Sequence, residues 1–438
     1  MVLAILLTAD FPAENPRVQN RNVPYTNTLA IIMANKTIYF VTIILFFISC
    51  KSIRNEKKDI AFNNKYKFKA EIESESKKDA LEPDFQSYAT EYSFKTDHKN
   101  ALKYWDLEFT PKIIGYNQFQ FDSIKNLYET AKAKDYILNQ SKENKIVIIN
   151  ESHHNASHRV FTESLLKELF NNGYKNLFLE ALTNGDKKDS LLNSRKYPIQ
   201  NSGYYTKNPQ FGNLIRTAKE IGYTIYPYET TGNEGGAKRE IDQANNIYKI
   251  IKEKPSEKNL IHCGSGHAIE GNVSFFGGLS LAGRLHKLTG INPLTIDQVF
   301  YSEKSTFDYS NIFVQSFDFK HPSILLDKNS NPFAYKNNDR WIDIVVFHPL
   351  TKYISNRPNW LFENGNNNVA INISNLNLDF PIMIFAYNKG EDLNASIPID
   401  VIEIEYKTDY CNLALKNGTY EIVATNGTMS VKFEQKVK

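Results

Sequence analysis

Carboxylates and imidazoles stand where apolar runs of this sequence end. Lys145-Ile-Val-Ile-Ile149 leads into Asn150-Glu151-Ser152-His153-His154, and Asn176-Leu-Phe-Leu179 into Glu180. Thr224-Ile-Tyr-Pro-Tyr228 leads into Glu229, and Leu260-Ile-His-Cys263 into Gly264-Ser265-Gly266-His267. Such side chains, once brought together, do acid–base work or hold a metal ion. Glu151 follows four apolar residues, and His153, two residues on, can point the same way. Glu180 lies between Leu-Phe-Leu and Ala-Leu, where a carboxylate without a partner is costly, so a partner is expected. Gly264 and Gly266 permit a tight turn with the backbone close to a ligand, and His267 ends it. Glu229 is the weaker candidate, because Tyr-Pro-Tyr-Glu-Thr-Thr-Gly also reads as an ordinary polar loop. His154 and His158 read as solvated helix-start residues, and His262 as a satisfied core histidine. Position 269 is Ile269, so Gly264-Ser-Gly is no dinucleotide fingerprint. No G-x-S-x-G elbow is present, which favours direct water attack over a covalent serine intermediate. Ser152 and Ser265 are the only serines placed for that role.

The elements that must position these groups alternate. The four runs, with a fifth at Pro293-Leu-Thr-Ile296 and a later one at residues 341–347, are short and continuously apolar, as strands buried on both faces are. Between them lie helical stripes: Phe161, Leu165, Leu166 and Leu169 before Asn171-Asn-Gly173, then residues 213–221 closed by Gly222, 236–254 stopped by Pro255, and 279–288. A further helix is expected from Asp122, carrying Ile124, Leu127, Ala131 and Ile137. Strand alternating with helix predicts an α/β fold with a largely parallel central sheet flanked by helices. All strand ends then lie on one edge, where ligand sites form. After about residue 365 the texture becomes strand-like, with hairpin signals at Asn417-Gly and Asn426-Gly. This predicts a small antiparallel β appendix at 365–438, beside an α/β domain at 111–350.

The chain has 438 residues, 52 Lys+Arg against 49 Asp+Glu, 41% hydrophobic residues and three cysteines. That near balance argues against a nucleic-acid partner, and three cysteines give neither a disulfide framework nor a Cys-based zinc site. Cys263 and Cys411 are left as free thiols or as a pair. A mean hydropathy of −0.45 excludes a polytopic membrane protein. One apolar run, residues 37–49, precedes Cys50. It is short of the ~20 residues that span a bilayer and has the length of a signal-peptide core. Phe47-Ile-Ser-Cys50 resembles a relaxed bacterial lipobox. Residues 33–50 are therefore read as a lipoprotein signal peptide, 1–32 as an upstream mis-start, and Cys50 as the lipid-bearing mature N-terminus. The expected location is extracytoplasmic, anchored to a bacterial membrane through that lipid. Residues 51–110 are expected to hold a solvated tether and an unassigned segment.

Asn150-Glu-Ser-His153, Glu180, Arg239-Glu240 opening a helix, and Gly264-Ser-Gly-His267 together resemble the superfamily of erythromycin esterases, ChaN-type haem-associated lipoproteins and TraB/Tiki metalloproteases. The resemblance covers about residues 120–350, including Asp343-Ile-Val-Val-Phe-His348 as a closing strand. It departs at Asn150, where the first motif normally has Gly. It implies a hydrolase, with or without a metal.

The leading expectation is thus hydrolysis of an ester, lactone or peptide bond in a small-molecule or peptide substrate. Glu151 would be the base, its pKa raised at the mouth of a partly apolar crevice. His153 and His267 are the alternative bases, or with Glu180 the ligands of a divalent metal. Arg239 would steady a carboxylate or oxyanion, and Glu229, Tyr204 and Tyr205 would contact substrate. The alternatives are a haem- or iron-complex-binding lipoprotein using the Tyr204-Tyr205 insertion, and a non-catalytic surface binder using the C-terminal strands.

Overall fold

The computed structural model describes residues 57–78, 82–232 and 235–438. The expected signal peptide and Cys50 lie outside the described residues.

The first apolar run forms β1 (Ile146–Glu151), buried at every position. Val147 and Ile149 pack into one layer, Ile146 and Ile148 into the other, which is why the run is apolar throughout. There follow α1 (Ser157–Asn171), β2 (Tyr174–Leu179), α2 (Pro209–Ile221), β3 (Thr224–Pro227), α3 (Gly236–Glu253), β4 (Lys258–Gly264), α4 (Leu281–Thr289), β5 (Leu294–Asp297) and β6 (Ile344–Val345). Across the sheet the order is β6-β5-β1-β4-β2-β3, and every pair is parallel. α1 and α2 cover one face, α3 and α4 the other. Glu151 pairs with Gly264 across β1 and β4, and His262 with Leu179 across β4 and β2. The carboxyl ends of these three strands therefore meet.

α2 starts at 209 rather than 213 because Asn208 caps it. Its side chain accepts from the Gln210 and Phe211 N–H groups, and Pro209 takes the first turn. Residues 122–137 are not one helix. Asn117 and Gln120 form a capping box on a helix Gln118–Leu127 that buries no side chain. Glu129–Lys132 then pairs as a strand with residues 323–326, and Ala133–Gln140 is a separate helix. The expected strand at 341–347 is also divided. Arg340–Ile342 pairs antiparallel with residues 270–271 and 335–337, while β6 joins the parallel sheet.

Parallel pairing is confined to the six central strands, so the fold is mixed α/β. β7 (Ile382–Asn388), β8 (Asp400–Ile404), β9 (Gly418–Thr425) and β10 (Ser430–Val437) form an antiparallel sheet, with Lys58–Asp59 at its edge. Asn426-Gly does turn the β9–β10 hairpin, with Gly427 at φ 88°. Asn417-Gly does not make a hairpin. Gly418 stays out of the positive-φ region such a turn needs, and the preceding strand Asn412–Leu415 pairs with Asn367–Ala370 instead.

The antiparallel strands expected after residue 365 are present, and in the described residues they belong to the same compact unit as the α/β part. Arg216 on α2 reaches Glu391 at 2.5 Å and the Ile397 carbonyl at 2.6 Å, and Lys95 pairs with Glu403 at 2.5 Å. The stretch expected to hold a tether and an unassigned segment carries helices from Lys69 on. Helices Lys69–Lys78, Phe85–Phe94 and His98–Phe109 bury Ile72, Tyr88, Tyr92 and Leu102. Cys263 and Cys411 are free and buried. Among the described residues no helix is long and apolar enough to cross a membrane.

Candidate active site

At the end of β1 the Glu151 carboxylate is enclosed, at 1% exposure. Arg159, in the first turn of α1, clamps it: Nε donates to Oε2 and Nη2 to Oε1, each at 2.6 Å. Arg159 is itself fully buried and also donates to the His153 carbonyl at 2.9 Å. Burial alone would raise the Glu151 pKa, but Arg159, then the neighbouring His262, hold it well below the carboxylate range. This overturns the expectation of a base with a raised pKa at the crevice mouth: the group is buried, ionised and clamped. His153 Nδ1 lies 2.9 Å from Glu151 Oε1. Since an ionised carboxylate only accepts, Nδ1 is the donor in this contact. The imidazole is about one-quarter exposed, and Tyr205 stacks on it at 3.7 Å between ring centroids.

Glu180 follows β2 directly. Its Oε2 accepts from the Gly264 N–H at the end of β4, and its Oε1 accepts from Arg239 Nη2 at 2.5 Å. Arg239 stands in the first turn of α3 and also forks onto Glu229, at 3.0 Å and 2.5 Å. Gln243, one turn on, donates to both Glu229 oxygens at 3.1 Å. His267 Nε2 lies 3.4 Å from Glu180 Oε1, and its Nδ1 lies 2.7 Å from Glu240 Oε1, off hydrogen-bond alignment. Burial pushes the His267 pKa down, but the two carboxylates outweigh it and raise it to about 10. Arg239 Nη1 is 3.0 Å from His267 Nε2, a contact that alone would favour a neutral acceptor there. Two carboxylates on the ring outweigh one guanidinium, so we assign an imidazolium that shares Glu180 Oε1 with Arg239. Burial would likewise raise Glu180, yet His267 above all, with His153 and Arg239, brings it well below the carboxylate range.

Gly264 ties the two halves together. A Cβ there would meet His153 Nε2 at 3.1 Å and Glu180 Oε2 at 3.2 Å, so the absence of a side chain at Gly264 lets these two groups approach its backbone. Glu180, Thr183, Tyr204, Tyr205, Glu229 and Arg239 line a cleft of about 520 Å³. The eight expected site residues Glu151, His153, Glu180, Tyr204, Tyr205, Glu229, Arg239 and His267 are all brought together, with Glu151, His153 and His267 adjoining the cleft rather than lining it.

Three histidines differ from expectation. His154 is buried, stacked on Trp105 at 4.0 Å with Nδ1 3.0 Å from Ser152 Oγ. His158 is fully buried and accepts from the Ser152 N–H at 3.1 Å. Those contacts also confine Ser152, which is 4% exposed, away from any nucleophile role. His262 is core but not satisfied: among the described residues Nε2 has no hydrogen-bond partner, and it lies 3.5 Å from Glu151 Oε2. Sequence reasoning gave no role to Arg159 or Glu240. Arg159 stands just before the Phe161–Leu169 stripe with no local signal of its partner, and Glu240 stood in the Arg239-Glu240 motif.

The expected metal donors His153, Glu180 and His267 do not fit a metal ion. The Arg239 guanidinium already contacts Glu180 Oε1 and His267 Nε2, so a cation stands where a metal would have to bind. Among the described residues no three His, Cys, Asp or Glu side chains group as metal donors.

No protein-family model matches the sequence, and no curated protein does. Solved structures do. The type III effector HopBA1 matches at 12% identity and TM-score 0.31, over 52% of this chain and 98% of that one. A bacterial protein toxin matches at 14% and 0.29, over 49% and 45%. RRSP, a MARTX toxin effector domain from Vibrio vulnificus CMCP6, matches at 16% and 0.27, over 46% and 44%. The chain spans less than half the length of the last two. Likeness at this level says nothing of activity.

Proposed function

We propose that the chain is a hydrolase of an ester, lactone or peptide bond, in which His153 takes a proton from water and Glu151 orients His153. The observation that carries this is the 2.9 Å contact from His153 Nδ1 to a carboxylate clamped by Arg159, which leaves Nε2 as the basic atom. Water adds to the carbonyl carbon as Nε2 receives its proton. The tetrahedral oxyanion lies against Arg239, partly exposed in the cleft. Collapse breaks the bond to the leaving group, which takes the proton back from Nε2. The chemistry proposed is metal-free. Residues at strand ends in the order of the esterase superfamily support the same class of reaction. The apolar run ending at Cys50 supports a lipid-anchored, extracytoplasmic location.

The test is a panel of chromogenic esters, lactones and peptides, assayed with and without a chelator. Turnover that the chelator leaves intact is expected, with Arg239→Ala lowering kcat by about 100-fold, the scale for loss of an oxyanion donor. Turnover abolished by the chelator would overturn the metal-free mechanism. No turnover on the whole panel, with a haem Soret shift on titration, would replace the hydrolase with the haem-binding alternative.

Gly264→Ala offers a finer check. Its Cβ meets His153 Nε2 and Glu180 Oε2 at the tight separations above, so one of them must shift. A loss of roughly 10- to 100-fold in kcat/KM is expected, the scale of a small misplacement of reacting groups, with little change in thermal midpoint. Full activity in this variant would remove His153 from the reacting position.

A further inference from the structure

A guanidinium carries five N–H donors, and Arg239 has committed three of them. Nε donates to Glu229 at 3.0 Å. Nη2 gives one N–H to Glu180 and the other to Glu229, each at 2.5 Å. Gln243 holds Glu229 in that fork. Only Nη1 is left, and it already lies 3.0 Å from His267 Nε2. An oxyanion forming against Arg239 therefore meets a single nitrogen, where acyl-transfer sites commonly aim more than one donor at the developing charge.

A second donor lines the same cleft. Tyr205 opens the short helix Tyr205–Lys207 and shares the cleft with Glu180 and Arg239. Its ring lies on the His153 imidazole, 3.7 Å between centroids and 17° from parallel. That stack fixes the phenol relative to the base, so a carbonyl group seated at His153 is also next to Tyr205. The hydroxyls of Tyr66, Tyr174, Tyr223 and Tyr228 each donate to a main-chain carbonyl. The Tyr205 hydroxyl forms no hydrogen bond among the described residues, and it is not sealed in the core. The residue is half-buried, so its oxygen stays open to a ligand. Burial, and after it the Glu180 carboxylate, push the Tyr205 pKa up. The phenol thus keeps its proton at neutral pH and is able to donate it.

We propose that the Tyr205 hydroxyl is the second oxyanion donor of this cleft, acting with Arg239 Nη1 on the substrate carbonyl oxygen. The inference rests on the hydrolase reading and adds a catalytic residue to it. No proton leaves the phenol. Water adds to the carbonyl carbon and gives its proton to His153 Nε2, while the phenol O–H hydrogen-bonds to the oxygen that takes the negative charge. The bond to the leaving group then breaks and that charge is discharged.

The test compares Tyr205→Phe with wild type on the best substrate of the ester, lactone and peptide panel. Phenylalanine keeps the ring on His153 and removes the donor alone. The kcat should fall about 100-fold, the scale for one oxyanion donor, with KM and thermal midpoint little changed. Incorporation of 3,5-difluorotyrosine at position 205 keeps the ring and makes the phenol more acidic. It should bring a loss of kcat at lower alkaline pH than in wild type, because an ionised phenol repels the oxyanion. A residue that only packs on His153 predicts neither result. Should Tyr205→Phe lower the thermal midpoint, the fluorinated chain still decides. Wild-type kcat in Tyr205→Phe, or an alkaline limb that the fluorines leave in place, overturns the proposal, while an inactive His153→Ala variant keeps the hydrolase reading standing. Wild-type turnover in His153→Ala, or no turnover by wild type on the whole panel, overturns both.

Discussion

Replacing Glu151 by alanine is expected to destabilise the protein by about 3–5 kcal/mol, the usual cost of stranding one partner of a buried ion pair. The stranded group is Arg159, fully buried, with Nη1 already lacking a hydrogen-bond partner among the described residues. Glu151→Gln keeps the shape and an accepting oxygen, so its loss should be smaller. The pH dependence has a defined sign. Glu151 ionises more readily folded than unfolded. Its contribution is therefore present above the unfolded carboxylate value of about 4.3 and lost as pH falls towards the folded one. The gap between wild type and Glu151→Ala in urea melts should narrow below about pH 4. His267 acts in the opposite direction. Its raised pKa stabilises the fold fully below the unfolded histidine value of about 6.5, and that contribution is lost as pH rises through its folded value of about 10. A Glu151→Ala variant that unfolds at the wild-type urea concentration at pH 7 would mean the Arg159 clamp is not formed.

The same clamp marks how far the sequence can be read. β1, β2, β3, β4 and β5 were legible because a strand covered on both faces must be apolar throughout, and the groups at their ends had to share an edge. The protonation roles there were not legible. Burial of Glu151 without Arg159 would raise its pKa and make it a base; with Arg159 eight residues away in α1 the sign reverses. Nothing in local spacing says that an arginine in the first turn of a helix points back at the strand before it. His154 and His158 were misread for a related reason. Trp105, which covers His154, comes from the mixed stretch after residue 85 that local pattern left unassigned, so nothing in sequence tied it to the His154 segment. The C-terminal strands were seen as strands, but their attachment through Glu391, Asp400 and Glu403 rests on partners far apart in sequence. Asn417-Gly carried the right dipeptide, but its neighbour strand was taken by residues 367–370, so no hairpin formed.

The sharpest consequence of reassigning the base falls on His153. His153→Ala should lower kcat by about 100- to 10,000-fold, the range for losing a general base, while KM changes little. The fold should persist, because the imidazole is partly exposed and Arg159 still holds Glu151. An imidazole added to the buffer should restore part of the rate. The cavity left beneath the Tyr205 ring has the shape of the missing side chain, and the Glu151 oxygen that accepted from Nδ1 is still there to orient the added ring. Rescue should need that carboxylate. In Glu151→Gln with His153→Ala the added imidazole meets a neutral amide that no longer fixes its tautomer, and the rescued rate should drop. A merely structural role for His153 predicts neither rescue nor its dependence on Glu151. If His153→Ala turned over esters and peptides at the wild-type rate, Nε2 could not be the base, and water activation would have to be sought at another group of this edge.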